Sequence, residues 1–217
     1  MKKLLIFLLV LALVIATPVA VNILQNGLGG PSGRSMGEIL GISASNARVQ
    51  HIEALSKSEI MQLFYAAKTP SFQNMKGEYR AQLLDKGVLA KASSFFTHNL
   101  MGPGKWIGKA FTPASRTEGW GYNIFLTGSG NGEGVARLVK MDTYVGPSVY
   151  DDRDSFHLVY EKYNLGMLSS MRDEIREINP NLYLGYGYMS WSGGKRNPAP
   201  FVLIGPPTKW EGVDAID

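Results

Sequence analysis

The sequence predicts a mainly β domain of seven to eight antiparallel strands closed into a barrel, with two or three helices, behind one N-terminal transmembrane helix. Three observations lead there. From Lys76 onward the chain breaks into short runs rich in aromatic and β-branched residues. Turn-forming clusters such as Gly128–Ser129–Gly130–Asn131–Gly132 and Asp151–Asp152–Arg153 stand between those runs. Residues 4–24, in contrast, form one uncharged stretch.

That stretch follows Lys2 and Lys3, and at 1.5 Å per residue it reaches about 30 Å, the thickness of a bilayer core. Two readings stay open. One is a retained signal-anchor; the other is a signal peptide cleaved after Ala16, with Leu4 to Ala16 as its hydrophobic region and Val14 three places back. The apolar continuation through Pro18–Val19–Ala20–Val21 to Ile23–Leu24 favours retention. With the lysines kept inside, the globular domain lies outside the cytoplasm, periplasmic or extracellular, and cleavage would leave it on the same side.

Residues 1–25 are therefore the anchor or signal segment. Residues 26–37, with five glycines, a proline and two serines, read as a tether. Residues 38–71 form a helical lead-in. Within it Ile39, Leu40, Ile42, Val49, Ile52 and Leu55 supply apolar positions for short helical turns. Ser56–Lys57–Ser58–Glu59 fits a capping box, and Ile60, Phe64 and Ala67 follow at helical spacing. This predicts a helix over 57–67, ended by Thr69–Pro70.

Residues 72–217 form the β domain. Strands are predicted near 77–85, 105–111, 119–127, 135–145, 154–163, 182–191 and 200–205, with room for an eighth near 87–92. So many antiparallel strands must hide their edges, and an up-and-down barrel does so. Leu168, Met171, Ile175 and Ile178 have the spacing of a helical stripe that ends at Asn179–Pro180. On that helix Arg172 would flank the stripe, and Asp173 and Glu177 would point away.

Composition removes several chemistries. The chain has no cysteine, which excludes disulfides, thiolate metal sites and a cysteine nucleophile. The formal net charge is +4, two units of which come from Lys2 and Lys3, and no cationic stripe follows, so nucleic acid is not a partner. His51, His98 and His157 lie in separate segments without metal-ligand spacing; no metal or cofactor is expected, a lone haem-axial histidine being the exception that spacing leaves open. There is no Gly-x-Ser-x-Gly elbow, and Gly128–Gly134 lacks the Lys-Ser/Thr ending of a phosphate loop.

Met75–Lys76–Gly77–Glu78–Tyr79–Arg80–Ala81, followed by Trp106–Ile107–Gly108–Lys109–Ala110–Phe111, resembles the start of the calycin-like proteins named for a Gly-x-Trp-x-Gly signature. Tyr163–Asn164, Leu184–Gly185–Tyr186–Gly187–Tyr188–Met189 and Pro200–Phe201–Val202–Leu203 continue the likeness, which spans about 72–205. Tyr79 and Ala81 replace the signature's Trp and Gly in the first element, whereas Gly104–Lys105–Trp106–Ile107–Gly108 satisfies the literal string. The resemblance implies a lipocalin-like barrel with a ligand cavity, in which Trp106 plugs the core, and it assigns no catalytic residue.

Period two sorts the polar candidates onto faces. In 154–163, Phe156, Leu158 and Tyr160 share one face, and His157, Val159 and Glu161 the other; in 135–145, Arg137, Val139 and Met141 oppose Leu138, Lys140, Asp142 and Tyr144. The polar ones either pair on the outer surface or orient a ligand inside. Tyr183, Tyr186, Tyr188 and Trp191 make one strand aromatic, as core or as cavity wall, with Gly185 and Gly187 making room.

The leading reading is a membrane-tethered binder of a small hydrophobic ligand, lipid or isoprenoid-like. Arg172, His157, Glu161, Tyr160, Tyr186, Tyr188 and Trp191 would line the cavity, and Arg172 at the mouth would hold an acidic head group. A second reading is an enzyme doing acid–base chemistry on a hydrophobic substrate with His157, Glu161, Asp142 or Tyr160. A third is an accessory subunit of a membrane protein complex.

Overall fold

The computed structural model describes residues 2–27, 29–128 and 132–214. Its strands are β1 (Gly77–Leu83), β2 (Lys105–Pro113), β3 (Glu118–Thr127), β4 (Gly134–Pro147), β5 (Asp154–Val159), β6 (Met171–Asn179), β7 (Leu182–Met189) and β8 (Ala199–Thr208). Each pairs antiparallel with the next, and β8 returns to β1 from Arg80↔Ile204 to Leu83↔Phe201, closing an eight-stranded barrel. No strand is left with an open edge. The seven strands predicted outright are all present, and the glycine turn expected at 128–132 lies partly outside the described residues.

The eighth strand is not where the sequence suggested. Residues 87–92 lead into a helix, α5 (Ala90–Asn99), and the segment expected as a helix at 168–178 is strand β6. Its stripe misleads because β6 is buried on both faces. Met171 and Ile175 enter the barrel core, whereas Ile178, on the same face of the strand as Arg176, joins a second core outside the barrel. Burial on both sides erases the period-two alternation on which strand recognition depends.

That second core lies against β6–β8 and comes from the lead-in. Helices α2 (Met36–Leu40), α3 (Val49–Glu53) and α4 (Lys57–Ala66) bring Ile52, Ile60, Leu63 and Phe64 onto Leu184, Tyr186 and Val202. The capping box that starts α4 is formed: the Glu59 amide donates to Ser56 Oγ at 3.3 Å, and the Ser56 amide donates to Glu59 Oε2 at 2.9 Å. Ser35 and Glu38 repeat it at α2. Residues of the expected tether lie along α4, where Gln62 bonds Ser32 and Gly30.

Arg176 joins the two layers. It projects from the outer face of β6, is fully buried, grips Asp151 with both terminal nitrogens at 2.7 and 2.5 Å, and donates to the Phe64 carbonyl at 3.1 Å. On the opposite wall the C-terminal tail covers β2–β4, with the Trp210 ring 4.5 Å from that of Tyr122.

Strand direction defines two ends. The connections 84–104, 160–170 and 190–198 meet at one end, here called the upper end; the connections 114–117, 148–153 and 180–181 lie at the other, and the lead-in runs along the wall between them, with Glu53 bonded to Gln82 and Lys86 near the upper end. Helix α1 (Lys2–Leu24) reaches the upper end with its last turn. Asn22 Nδ2 bonds Asn197 Oδ1 at 2.5 Å, and Gln25 Oε1 accepts from the Val88 amide at 3.0 Å. Among the described residues no helix is long and apolar enough to cross a membrane; the anchor expected at 4–24 falls partly on residues 8–13 and 15, whose side chains lie outside the described set.

Removing one partner of a buried ion pair strands the other charge. Arg176→Met should therefore lower unfolding free energy by about 3–5 kcal/mol in denaturant titration. A loss below about 1 kcal/mol would mean that Arg176 does not tie the lead-in to the barrel.

Candidate functional site

A polar cluster lies inside the barrel. Strict alternation from the buried Trp106 would turn Lys109 outward, but β2 shifts register against β3 between Trp106 and Gly108. That bulge inverts the phase of the strand, so Trp106, Lys109 and Phe111 all face inward. Gly108 permits it: a Cβ there would come within 2.6 Å of the Tyr79 carbonyl oxygen. The Gly-x-Trp-x-Gly string thus has a backbone reason in this chain.

Lys109 is 3% exposed, and each of its three donors has a partner. Nζ stands 2.8 Å from Asp173 Oδ2, 2.8 Å from Asn123 Oδ1 and 2.6 Å from the Tyr160 hydroxyl oxygen. The Tyr160 hydroxyl in turn donates to Asp173 Oδ2 at 2.7 Å, and Trp106 Nε1 donates to Asn123 Oδ1 at 3.0 Å. The rings of Trp106, Phe201 and Tyr160 surround the ammonium at 5.2 to 5.4 Å, within cation–π range. Asn123 Nδ2 donates to the carbonyl of Val139 at 3.4 Å, a β-branched residue itself held at φ +57°. Such backbone is costly and persists only where surrounding contacts over-determine it.

Burial pushes the Lys109 ammonium below its ordinary value, against the opposing pull of Asp173. Burial first, and then the Asp173 charge, hold the Tyr160 hydroxyl well above its ordinary value. Tyr160 therefore stays neutral, its hydroxyl donating to the Asp173 carboxylate.

Above this cluster is a cavity of about 220 Å³. Trp106, Met101, Met171, Met189 and Phe201 make its wall apolar, Lys109 and Asp173 its floor, and Leu89, Ala92 and Phe96 of α5 with their neighbours its roof. One hydrogen-bonding valence remains open at the floor. Asp173 Oδ2 takes both Lys109 and Tyr160, whereas Oδ1 makes no hydrogen bond among the described residues. Gly187 leaves space beside it: a Cβ at Gly187 would stand 2.8 Å from Oδ1.

The residues expected to form the site are distributed otherwise. Tyr160 belongs to the interior cluster. Arg172 is near the mouth but on the outer face, because on strand β6 it alternates with Asp173; its Nη2 pairs with Glu161 Oε2 at 2.6 Å, and Glu161 is 71% exposed. Reading 168–178 as a helix turned Arg172 toward the cavity, whereas the strand turns Asp173 there. His157 is buried on the outward face of β5, stacked on Tyr144 at 4.7 Å with Nε2 3.1 Å from the Gly146 carbonyl oxygen. Tyr186 lies in the outer core against Phe64. Tyr188 borders the cavity while its ring meets Tyr150. The Trp191 side chain lies outside the described residues, and Asp142 accepts from Tyr163 on the exposed exterior.

No protein-family model and no curated protein matches the chain. A solved structure, that of a protein from Thermomonospora curvata, superposes with a TM-score of 0.48 at 16% identity, over 69% of this chain and 87% of that one.

Tyr160→Phe removes an oxygen that both accepts from Lys109 and donates to Asp173. It should leave the barrel folded and cost about 1–3 kcal/mol in chemical denaturation. A neutral result would show that the hydroxyl is not part of the interior network.

Proposed function

We propose that this protein is a membrane-tethered binding protein whose barrel cavity takes a small, mostly apolar molecule carrying one hydrogen-bond donor, an alcohol or an amine. The observation that carries the proposal is the open Oδ1 of Asp173 at the floor of an otherwise apolar cavity. An apolar pocket with few convergent polar groups is the usual form of a small-molecule site, and about 220 Å³ is below the roughly 300–1,000 Å³ common for drug-sized ligands, so the ligand is compact.

The floor favours a donor over an acid. All three Lys109 donors are used internally, and the Lys109–Asp173 pair is neutral as a unit, so an incoming carboxylate would meet the Asp173 carboxylate without a free cation. This replaces the acidic head group first expected at Arg172. The calycin-like resemblance supports a cavity barrel of this kind. Tethering is supported by the uncharged run 4–24 and by Leu4, Leu5, Ile6 and Phe7 of α1, which stand 60–63% exposed where lipid would cover them. On that reading the barrel lies outside the cytoplasm.

An enzymatic reading draws on the same cluster, since Tyr160, Lys109 and Asp173 share protons through short hydrogen bonds beside the cavity. Turnover of a bound alcohol would distinguish it from binding.

Full-length protein in lipid nanodiscs, labelled at the methionine methyls, should report the ligand class through Met101, Met171 and Met189. Octan-1-ol should shift these resonances saturably, octanoate at least about tenfold more weakly, and Gly187→Ala should abolish the octanol response. Tenfold corresponds to about 1.4 kcal/mol, within reach of one hydrogen bond to a charged group. Tighter binding of octanoate, or no saturable shift with either probe, would reject the proposal.

A further inference from the structure

The upper end of the barrel, where the cavity opens under α5, also gathers the most exposed of the large apolar side chains that the globular body leaves in solvent, while Tyr144 and Val149, each under 40% exposed, lie elsewhere. Val88 is 51% exposed, Phe95 59%, Leu100 58%, Leu165 91% and Met167 41%. All five lie on the 84–104 and 160–170 connections. Contiguous exposed apolar surface rimmed by polar groups marks a contact surface, and exposed Lys91, Lys105, Lys195 and Arg196 stand at the same end.

Helix α1 decides what that surface meets. Its last turn and the two residues after it are bonded mainly to this end: Asn22 to Asn197 and to the Leu89 amide, Gln25 to the Val88 amide, Asn26 to the Arg196 carbonyl, with Lys57 of α4 donating to the Asn22 carbonyl from the side. Those polar residues terminate a run that is otherwise apolar from Leu4. A helix that leaves the bilayer and is fastened within one turn to the cavity mouth brings that mouth to the lipid surface. Apolar tips then enter the interface, and lysines beside them reach the head groups.

We infer that the barrel sits mouth-down on the bilayer, with Phe95, Leu100 and Leu165 in the lipid interface and α5 as the partition between the membrane and the cavity. On one side α5 presents Leu89, Ala92 and Phe96 to the cavity, and on the other Phe95 to lipid. A hydrophobic ligand would then reach the cavity past α5 without crossing water. The inference rests on the tethered-binder reading for the role of α1, and the test separates the two.

The chain has no cysteine, so a single nitroxide label can be placed at will in the full-length protein. Labels at Phe95→Cys, Leu100→Cys and Leu165→Cys are compared with Arg116→Cys and Asp152→Cys at the lower end, and with Phe7→Cys on α1, in phosphatidylcholine vesicles. Relaxation by oxygen, enriched in lipid, is set against relaxation by a water-soluble nickel chelate. The three upper labels should favour oxygen and the two lower labels the chelate. Upper labels as open to the chelate as the lower ones overturn the mouth-down orientation, whatever Phe7 reports. A Phe7 label open to the chelate rejects the anchor reading alone, and the upper labels still decide the orientation.

Discussion

Lys109 Nζ and Asp173 Oδ2 stand 2.8 Å apart inside the barrel, each side chain 3% exposed. Taking two ions from water costs several kcal/mol apiece, and only close geometry with the remaining valences filled offsets it. That requirement reaches much of the barrel wall. Asn123 from β3, Tyr160 from the end of β5 and three aromatic rings must converge on one ammonium, and the β2 bulge must turn Lys109 inward. An apolar pair would fill the space with less desolvation. The ionic pair instead leaves one carboxylate oxygen facing an apolar cavity.

Around this interior the chain builds two outer layers, and each bears on the site. The lead-in covers β6–β8 and, through Arg176, braces the strand that carries Asp173. The C-terminal tail covers β2–β4, the strands that carry Lys109 and Asn123. At the upper end the cavity is roofed by α5, whereas the walls that align the polar groups are covered by these outer layers. A ligand needs its means of access there.

The strands were legible because their aromatic and β-branched runs are bounded by turn residues that mark their ends. Ser56 and Glu59 announced α4 through hydrogen bonds that any capping box must make. The site was less legible for a specific reason. Lys109 and Asp173 are charged residues in strands, which single-sequence reasoning sends to solvent, and the signals that reverse this are a register shift at Gly108 and the double burial of β6. The Gly108 in a Trp-x-Gly-Lys run was the available hint. Tyr160 faces the interior because Phe156 and Leu158 fix its face; Arg172 faces outward because a strand, unlike a helix, sends the neighbours Arg172 and Asp173 to opposite faces.

The most direct test of the central claim is a double-mutant cycle on Lys109 and Asp173 in the full-length protein. Lys109→Met and Asp173→Asn should each cost about 3–5 kcal/mol, because each strands a buried partner. The double variant should fall short of their sum by about 1–3 kcal/mol, the coupling expected of residues in direct contact. Additive losses, to within about 0.5 kcal/mol, would mean that the two side chains do not pair in the barrel and would remove the floor on which the proposed binding site rests.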